Sequence, residues 1–281
     1  MKTVLITGAT SGIGKVTLRA LAKKDYEIVI IGRNKEKTEQ CVEEIKKESA
    51  NPHIHYLLAD LSNLEDVRRI ANEFNDKFEH LHLLINNAGC VYQKKEFTKE
   101  GYEKTMATNH LSHFIITNIL LDKIKKSAPA RIINVASKSH FGGRWNPDNM
   151  TLENKYKVMR AYANSKLYNI LFTKYLSEQL KNEKVTVNCL HPGVVKTKIG
   201  NKNMSWIGGF VWGTFAAFKG ISEEKGAETT LYLATSPEVE NITGKYFDKC
   251  KEVPSSEISN NFAAAEELWK MSLEMANLRP G

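Results

Sequence analysis

The chain has 281 residues, of which 42% are hydrophobic and 26% are charged, so it is long enough to bury a sizeable core. No linker, low-complexity run or internal repeat divides it, and we expect one domain spanning residues 1–281. The formal net charge is +8, but lysines alternate with acidic residues, as at 43–48, which is typical of a solvated helix face. The composition therefore argues against a nucleic-acid-binding protein.

The start of the chain and its cysteines indicate a compartment. The first strand-like run begins at residue 3, so we expect neither a signal peptide nor an N-terminal membrane anchor. Cys41, Cys90, Cys189 and Cys250 lie far apart without C-x-x-C spacing, which is typical of reduced cysteines in a packed interior. We expect a cytoplasmic protein, or one on the cytosolic face of a membrane, without a disulfide framework or a metal site.

Strand and helix patterns alternate along the chain. Apolar strand-like runs are predicted at 3–6, 27–31, 53–58, 81–85, 131–136 and 185–190, with a short late strand at 245–247. Helical patterns are predicted at 12–24, 35–48, 63–78, 101–126 and 159–181. Apolar strands separated by long helices indicate a single doubly wound parallel sheet of the Rossmann type, with helices on both faces. Its ligand crevice is expected at the carboxyl ends of the strands, with the cofactor half at about 1–135.

The first predicted strand runs into a glycine-rich turn with the spacing G-x-x-x-G-x-G, and a helix follows at once. Backbone N–H groups of such a turn and the positive end of a helix dipole bind the pyrophosphate of a dinucleotide. A tight turn that binds nothing is the alternative that this motif alone leaves open. The residues expected to contact the phosphates are Gly8, Thr10, Ser11, Gly12, Ile13 and Gly14.

The end of the second predicted strand indicates which dinucleotide is bound. Arg33 stands where an NAD-binding fold usually has an acidic residue that holds the ribose 2′-hydroxyl. A guanidinium can hold a 2′-phosphate in bidentate fashion, whereas a carboxylate would repel it. With Asn34 and Lys37 beside it, Arg33 favours NADP(H) over NAD(H).

Small polar loops follow the third and fourth predicted strands. Asp60-Leu61 alone could be a helix cap, and Asn86-Asn87-Ala88-Gly89 alone could be a turn. Because the carboxyl ends of parallel strands meet at one sheet edge, these loops are expected beside the glycine turn. We therefore add Asp60, Leu61, Asn87, Ala88 and Gly89 to the cofactor-binding residues.

Tyr162 and Lys166 are four residues apart on a predicted helix and share one of its faces. A phenol with a pKa near 10 is a poor base at neutral pH, and a nearby ammonium lowers that value. The Y-x-x-x-K pattern is common by chance, so its meaning depends on its surroundings.

Taken together, these motifs resemble the short-chain dehydrogenase/reductase family. The residues that carry the resemblance are those of the turn at 7–14, Asp60, the loop 86–89, Asn109, Ser137, Tyr162, Lys166 and His191-Pro192-Gly193. In finer detail the chain resembles the retinol dehydrogenase-like branch, through 109–114, 127–135, 191–195, 244–250 and 265–269.

The resemblance implies a role for each polar residue. Tyr162 would exchange a proton with the substrate oxygen while a hydride passes to or from the nicotinamide. Lys166 would lower the pKa of Tyr162 and hydrogen-bond the nicotinamide ribose. Ser137 would donate to the developing alkoxide, and Asn109 would position a water that links Lys166 to solvent. The loop expected to face the nicotinamide holds Pro192, Gly193, Val195 and Thr197.

Two departures from the family pattern stand out. Ala136-Ser137 replaces a Ser-Ser pair that is common in the family, and Ser139 follows so closely that the sequence leaves open whether it shares the function of Ser137. Ser137 and Tyr162 are 25 positions apart, roughly twice the spacing of many members. The insert, at about 140–156, is interpreted as a loop at the rim of the pocket.

Residues 204–219 form the most aromatic stretch of the chain, and it is too short to span a bilayer. We interpret it as part of a lid, at about 195–225, over an apolar pocket for a retinoid, fatty or isoprenoid aldehyde, ketone or alcohol. A helix packed on the core is the alternative. The sequence leaves open a peripheral contact with a membrane surface and a homodimer.

Three classes of function fit the fold. The leading one is an NADP(H)-dependent oxidoreductase that interconverts a lipophilic alcohol and its carbonyl compound. A non-catalytic nucleotide sensor or scaffold on the same fold usually has a damaged Tyr/Lys pair, whereas this chain keeps both residues. A sugar-nucleotide epimerase or dehydratase is disfavoured by the glycine spacing and by the length of the chain.

Overall fold

This computed structural model describes residues 1–150, 156–194 and 220–278. These residues contain one eight-stranded sheet. Its strand order is β3-β2-β1-β4-β5-β6-β7-β8, and neighbouring strands are parallel except for the antiparallel pair β7–β8. The strands are β1 (Lys2–Thr7), β2 (Tyr26–Gly32), β3 (Ile54–Leu58), β4 (Leu83–Asn86), β5 (Ala130–Val135), β6 (Val185–His191), β7 (Tyr246–Asp248) and β8 (Lys251–Glu252).

Helices cover both faces of the sheet because the buried strands have apolar side chains on each face. They are α1 (Gly12–Ala22), α2 (Lys35–Ser49), α3 (Leu64–Lys77), α4 (Lys104–Met106), α5 (Ser112–Ile119), α6 (Leu121–Lys126), α7 (Val158–Gln179), α8 (Glu223–Thr235) and α9 (Phe262–Ala276). The two larger core clusters lie on opposite faces of the sheet, one against α1, α2 and α8 and the other against α3, α5 and α7.

The C-terminal helix α9 forms an additional layer against α5 and α7. The ring of Trp269 lies 4.9 Å from that of Phe114 and 5.1 Å from that of Tyr175, measured between centroids. Aromatic rings bury large apolar areas and interact favourably at such distances. This packing covers the outer face of α5 and α7.

The prediction of a doubly wound parallel sheet with a late strand is confirmed. The helical segment predicted at 101–126 is confirmed from Lys104 onward, and it divides into α4, a π-helical stretch (Ala107–Leu111), α5 and α6. The helix begins at Lys104 because the buried Glu103 carboxylate accepts hydrogen bonds from the N–H groups of Thr105 and Met106 and caps it. The predicted strands otherwise agree with the structure to within two residues at each end.

Among the described residues, no helix combines the length and the apolar character that a bilayer crossing requires.

Candidate active site

The turn between β1 and α1 is shaped to receive an anion. Gly8 and Gly12 have φ angles of +68° and +59°, in the left-handed region that favours glycine. Ser11 precedes α1 in an extended conformation, and its side chain makes no capping hydrogen bond. The first turn of α1 also lacks an acidic side chain. Its N–H groups and dipole are therefore available to a phosphate.

The glycine turn packs tightly against the loop that follows β4. The Thr7 hydroxyl accepts hydrogen bonds from the N–H groups of Asn87 and Ala88, both at 2.9 Å. The amide of Asn87 donates back to the carbonyl oxygens of Thr7 and Gly8, at 2.9 and 3.1 Å. A Cβ atom on Gly14 would lie 2.3 Å from Gly8 O and 2.6 Å from Asn87 Nδ2. These contacts join the two loops into one rigid cradle.

At the end of β2, the Arg33 guanidinium lies in the open. Its side chain is 54% exposed, and Nη1 lies 3.8 Å from Oδ2 of Asp60 after β3. Asp60 Oδ1 accepts hydrogen bonds from the N–H and hydroxyl of Ser62. Asn34 caps α2 by accepting a hydrogen bond from the N–H of Lys37 at 2.8 Å. Arg33 therefore keeps free donors for a phosphate group, whereas the side chain of Asn34 stabilises the helix.

Asn109 lies in the π-helical stretch and joins the β4 loop to α7. Its Oδ1 accepts a hydrogen bond from Cys90 N at 2.8 Å, and its Nδ2 donates to Cys90 O at 2.9 Å and to Ser165 Oγ at 3.0 Å. Ser165 Oγ in turn donates to Tyr162 O. The side chain of Asn109 is completely buried, and these bonds occupy both ends of its amide.

Lys166 extends from α7 to the carboxyl end of β5. Its Nζ donates a hydrogen bond to Val135 O at 2.8 Å and lies 5.8 Å from the centroid of the Tyr162 ring. A Cβ atom on Gly89 would lie 3.2 Å from this Nζ. The ammonium is therefore placed between the tyrosine and the β4 loop, directly beside the glycine-lined crevice.

Ser137 follows β5 and faces Tyr162. Its hydroxyl caps a short 3₁₀-helix (Lys138–Gly142) by accepting a hydrogen bond from Ser139 N at 3.2 Å, and it lies 3.3 Å from Ser139 Oγ. The Ser137 side chain also contacts the phenol of Tyr162 and lowers its pKa. Of the two serines, Ser137 is thus the one that the structure places beside the tyrosine.

The charges of the site are set mainly by burial. Burial raises the pKa of Tyr162 above its ordinary value, and the contact with Ser137 offsets only part of this effect. Burial also lowers the pKa of Lys166 to about 8. Burial, Ser137 and Cys90 are the contributions that shift the pKa of Tyr162 here, and a lowering of that value by Lys166 stays a prediction.

This geometry agrees with the comparisons to known proteins. The profile of the short chain dehydrogenase family matches residues 2–208. The chain belongs to the short-chain dehydrogenase/reductase family. It is 38% identical to retinol dehydrogenase 13 of Mus musculus over 281 residues, covering 99% of this chain and 84% of that protein. It is also 38% identical to retinol dehydrogenase 12 of Bos taurus, covering 99% of this chain and 87% of that protein.

The similarity to these relatives over 99% of this chain places this dehydrogenase in the retinol dehydrogenase-like branch, as the sequence motifs predict. Among solved structures, an uncharacterized protein from Mycobacterium paratuberculosis matches with a TM-score of 0.78 at 28% identity. That match covers 99% of this chain and 94% of the other, so the shared architecture extends over the whole fold.

Most residues singled out in the sequence come together at one edge of the dehydrogenase sheet. The glycine turn, Asp60, the β4 loop and Ser137 follow β1, β3, β4 and β5, while Tyr162 and Lys166 reach the same edge from α7. After β6, Pro192 leads to Gly193, whose φ is +89° and whose Cβ would lie 2.4 Å from Ile221 Cδ1. Val195, Thr197 and the aromatic stretch 204–219 lie outside the described residues.

Two groups at the site were not expected from the sequence. Cys90 directly follows the Asn-Asn-Ala-Gly loop, and burial raises the pKa of its thiol to about 12, so it is neutral. The carbonyl of Val135 holds the Lys166 ammonium, and a backbone group has no signature in the sequence. In the described part of the insert after Ser137, Trp145 packs on the helical layer, since it lies edge-on to Tyr168 at 5.9 Å and donates to Glu267 of α9.

Proposed function

We propose that this dehydrogenase reduces lipophilic aldehydes or ketones with NADPH, and that it uses the same residues for the reverse oxidation with NADP⁺. The observation that carries the proposal is the convergence of Tyr162, Ser137 and Lys166 beside Gly89 at the mouth of the crevice. The left-handed glycines, the free N–H groups of α1 and the exposed Arg33 fit a dinucleotide that carries a 2′-phosphate.

Each residue of the site has a separate function in the reduction of a carbonyl group. A bound NADPH supplies the hydride that the carbonyl carbon receives. Tyr162 donates its phenolic proton to the carbonyl oxygen, which gives the alcohol and leaves a phenolate. Ser137 donates a hydrogen bond to the oxygen as negative charge develops on it. Lys166 stabilises the phenolate until Tyr162 regains a proton from solvent, and Asn109 fixes Ser165 and the β4 loop around it.

Burial keeps the phenol of Tyr162 protonated, which is the form that carbonyl reduction requires. A phenol that stays protonated at neutral pH is ready to donate, whereas oxidation of an alcohol needs the phenolate as a base. An Arg33 contact to the 2′-phosphate supports the same direction, because it selects NADPH.

Apolar side chains near the catalytic residues support a lipophilic substrate. Phe141 follows Ser137 by four residues and is 57% exposed. Met159 precedes Tyr162 by one turn of α7 and is 48% exposed. Exposed apolar side chains on the two elements that carry Ser137 and Tyr162 fit a lipophilic substrate. We place the enzyme in the cytoplasm or on the cytosolic face of a membrane, where lipophilic carbonyl compounds partition.

The test uses purified protein with NADPH or NADH and four substrates: a short, a medium and a long linear aldehyde, and retinal. Loss of NADPH absorbance is followed with product analysis. We expect turnover with NADPH that improves with chain length, and much weaker turnover with NADH. Failure to reduce any of these carbonyls or to oxidise the matching alcohols, in protein shown to bind NADPH, would contradict the proposal and favour a nucleotide sensor.

A further inference from the structure

The peptide group that joins Ser137 to Lys138 is held at both ends by imidazole rings. On its carbonyl side, His140 Nδ1 lies 2.7 Å from Ser137 O. On its amide side, Lys138 N donates a hydrogen bond to His191 Nδ1 at 3.2 Å. His140 belongs to the 3₁₀-helix after β5, whereas His191 ends β6. Side chains from two separate elements therefore hydrogen-bond to the same peptide group, which directly follows the proposed catalytic serine.

The hydrogen-bond partners define the tautomer of each ring. His140 Nε2 accepts a hydrogen bond from Ser256 N at 3.1 Å, so its proton resides on Nδ1, which donates to Ser137 O. His191 Nδ1 accepts from a backbone N–H and is therefore unprotonated. Burial lowers the pKa of both rings, that of His191 to about 4. Each imidazole is thus neutral. His140 offers an N–H donor to the carbonyl of the peptide, and His191 offers an unprotonated nitrogen to its N–H.

The rings themselves are held in place. His140 is completely buried and packs between Phe141, at 4.2 Å between ring centroids, and Tyr246, at 4.9 Å. His191 is 5% exposed and pairs in register with Asp248 of β7. Neither imidazole can swing away without disrupting its packing, so the peptide between them is fixed by rigid groups.

Fixing this peptide plane fixes the direction of the serine side chain. The plane determines ψ of Ser137, which is 154°, and one residue before Ser137 the N–H of Ala136 donates a hydrogen bond to Leu190 O. With the following peptide held, the Cα–Cβ bond of Ser137 keeps the orientation from which its hydroxyl contacts Tyr162. An error of about 1 Å in such a position can cost on the order of 100-fold in rate.

We propose that His140 and His191 are positioning residues that act through Ser137, clamping its following peptide so that its hydroxyl meets the substrate oxygen. The inference rests on the proposed function, since it takes Ser137 as a catalytic donor. It differs from a purely structural contribution in one respect: the histidines should matter for catalysis only while the serine hydroxyl is present.

A double-mutant cycle between His140 and Ser137 tests this dependence. His140→Leu removes the donor, whereas His140→Asn keeps an amide N–H near the position of Nδ1. We expect His140→Leu to lower kcat by about 10- to 100-fold with KM and NADPH affinity nearly unchanged, and His140→Asn to recover most of the rate. In a Ser137→Ala background, His140→Leu should change the residual rate by less than about twofold.

His82→Leu serves as a matched control. His82 Nδ1 also accepts a backbone hydrogen bond, from Thr3 N at 3.0 Å, but at the opposite edge of the sheet. This variant should leave kcat unchanged in both backgrounds. If His140→Leu does not fold, the same cycle is run with His191→Leu and His191→Asn, because the Asn carbonyl can still accept from Lys138 N.

The outcomes separate the clamp from the proposed function. An equal loss of rate with and without the Ser137 hydroxyl would show that the histidines act independently of it, and the inference would be overturned. A Ser137→Ala variant with the wild-type rate would instead remove the catalytic serine from the proposed function. The inference is supported if His140→Leu lowers the rate only in protein that keeps Ser137 and if His140→Asn recovers most of that rate.

Discussion

Lys166 carries a buried charge, and replacing it should stabilise the free protein while destroying its activity. Its side chain is 3% exposed, and burial lowers its pKa from 10.5 to about 8. A lowering of about 2.5 pKa units, at about 1.4 kcal/mol per unit, costs the folded state about 3 kcal/mol at neutral pH. Lys166→Met removes this cost and fills a similar volume with an uncharged side chain.

The gain is reduced by the loss of one hydrogen bond. Val135 O loses its contact with Nζ, which offsets about 1 kcal/mol. The net stabilisation is therefore about 2 kcal/mol, or a rise in Tm of about 4 °C for a protein of this size. Activity should fall to background, since the variant lacks the cation that we propose stabilises the Tyr162 phenolate. A more stable and inactive variant is the expected combination.

The stability difference between Lys166→Met and wild type depends on pH. The folded-state pKa of Lys166 lies below the unfolded value, so the unfolded chain binds more protons between pH 8 and 10.5. The wild type should therefore gain stability relative to Lys166→Met as pH rises through this window, and the difference in Tm should shrink. Thermal unfolding at pH 7 and pH 9 measures it, with Lys157→Met, at an exposed lysine just before α7, as the control. A Lys166→Met variant less stable than wild type at pH 7 would refute the reasoning.

Three further changes probe the cofactor and substrate regions. Gly14→Ala places a Cβ 2.3 Å from Gly8 O, so NADPH affinity measured by fluorescence should fall at least 10-fold. An unchanged affinity would contradict the inference that the glycine turn binds the nucleotide. Arg33→Asp should shift preference from NADPH to NADH, because a charge-assisted hydrogen bond of roughly 1.5–3 kcal/mol corresponds to about 10- to 150-fold; equal wild-type affinity for both nucleotides would leave Arg33 without this function. Trp212→Ala should raise KM more for long apolar aldehydes than for short ones, and equal effects would favour a core helix over a lid.

The sheet was predictable because buried parallel strands have a strong signature. Runs such as 27–31 and 185–190 are almost wholly apolar or β-branched, and both are strands of the structure. Helix α8 was not predicted because most of its buried residues are small or polar, Gly226, Ala227 and Thr229 among them, and give no apolar periodicity. The break of the 101–126 segment depends on the buried Glu103 cap and the π-helical stretch, which are tertiary features.

For the site, the sequence motifs identified the residues but did not predict their pKa values. The spacing of Tyr162 and Lys166 correctly predicts that they share a helix face. It does not reveal that burial raises the pKa of Tyr162, because burial depends on the loops packed around it. The clamp by His140 is likewise invisible in the sequence, since the ring reaches both Ser137 and the distant Ser256 only in the fold.

The proton transfer by Tyr162 is the central claim, and Tyr162→Phe tests it most directly. NADPH affinity is measured by fluorescence and NADPH oxidation by absorbance on the same preparations of wild type and variant, with the best aldehyde as substrate. Because only a hydroxyl is lost, we expect the same fold and an NADPH affinity within about threefold of wild type, with a rate at least about 100-fold lower. If Tyr162→Phe keeps more than a few per cent of the wild-type rate, Tyr162 is not the proton donor.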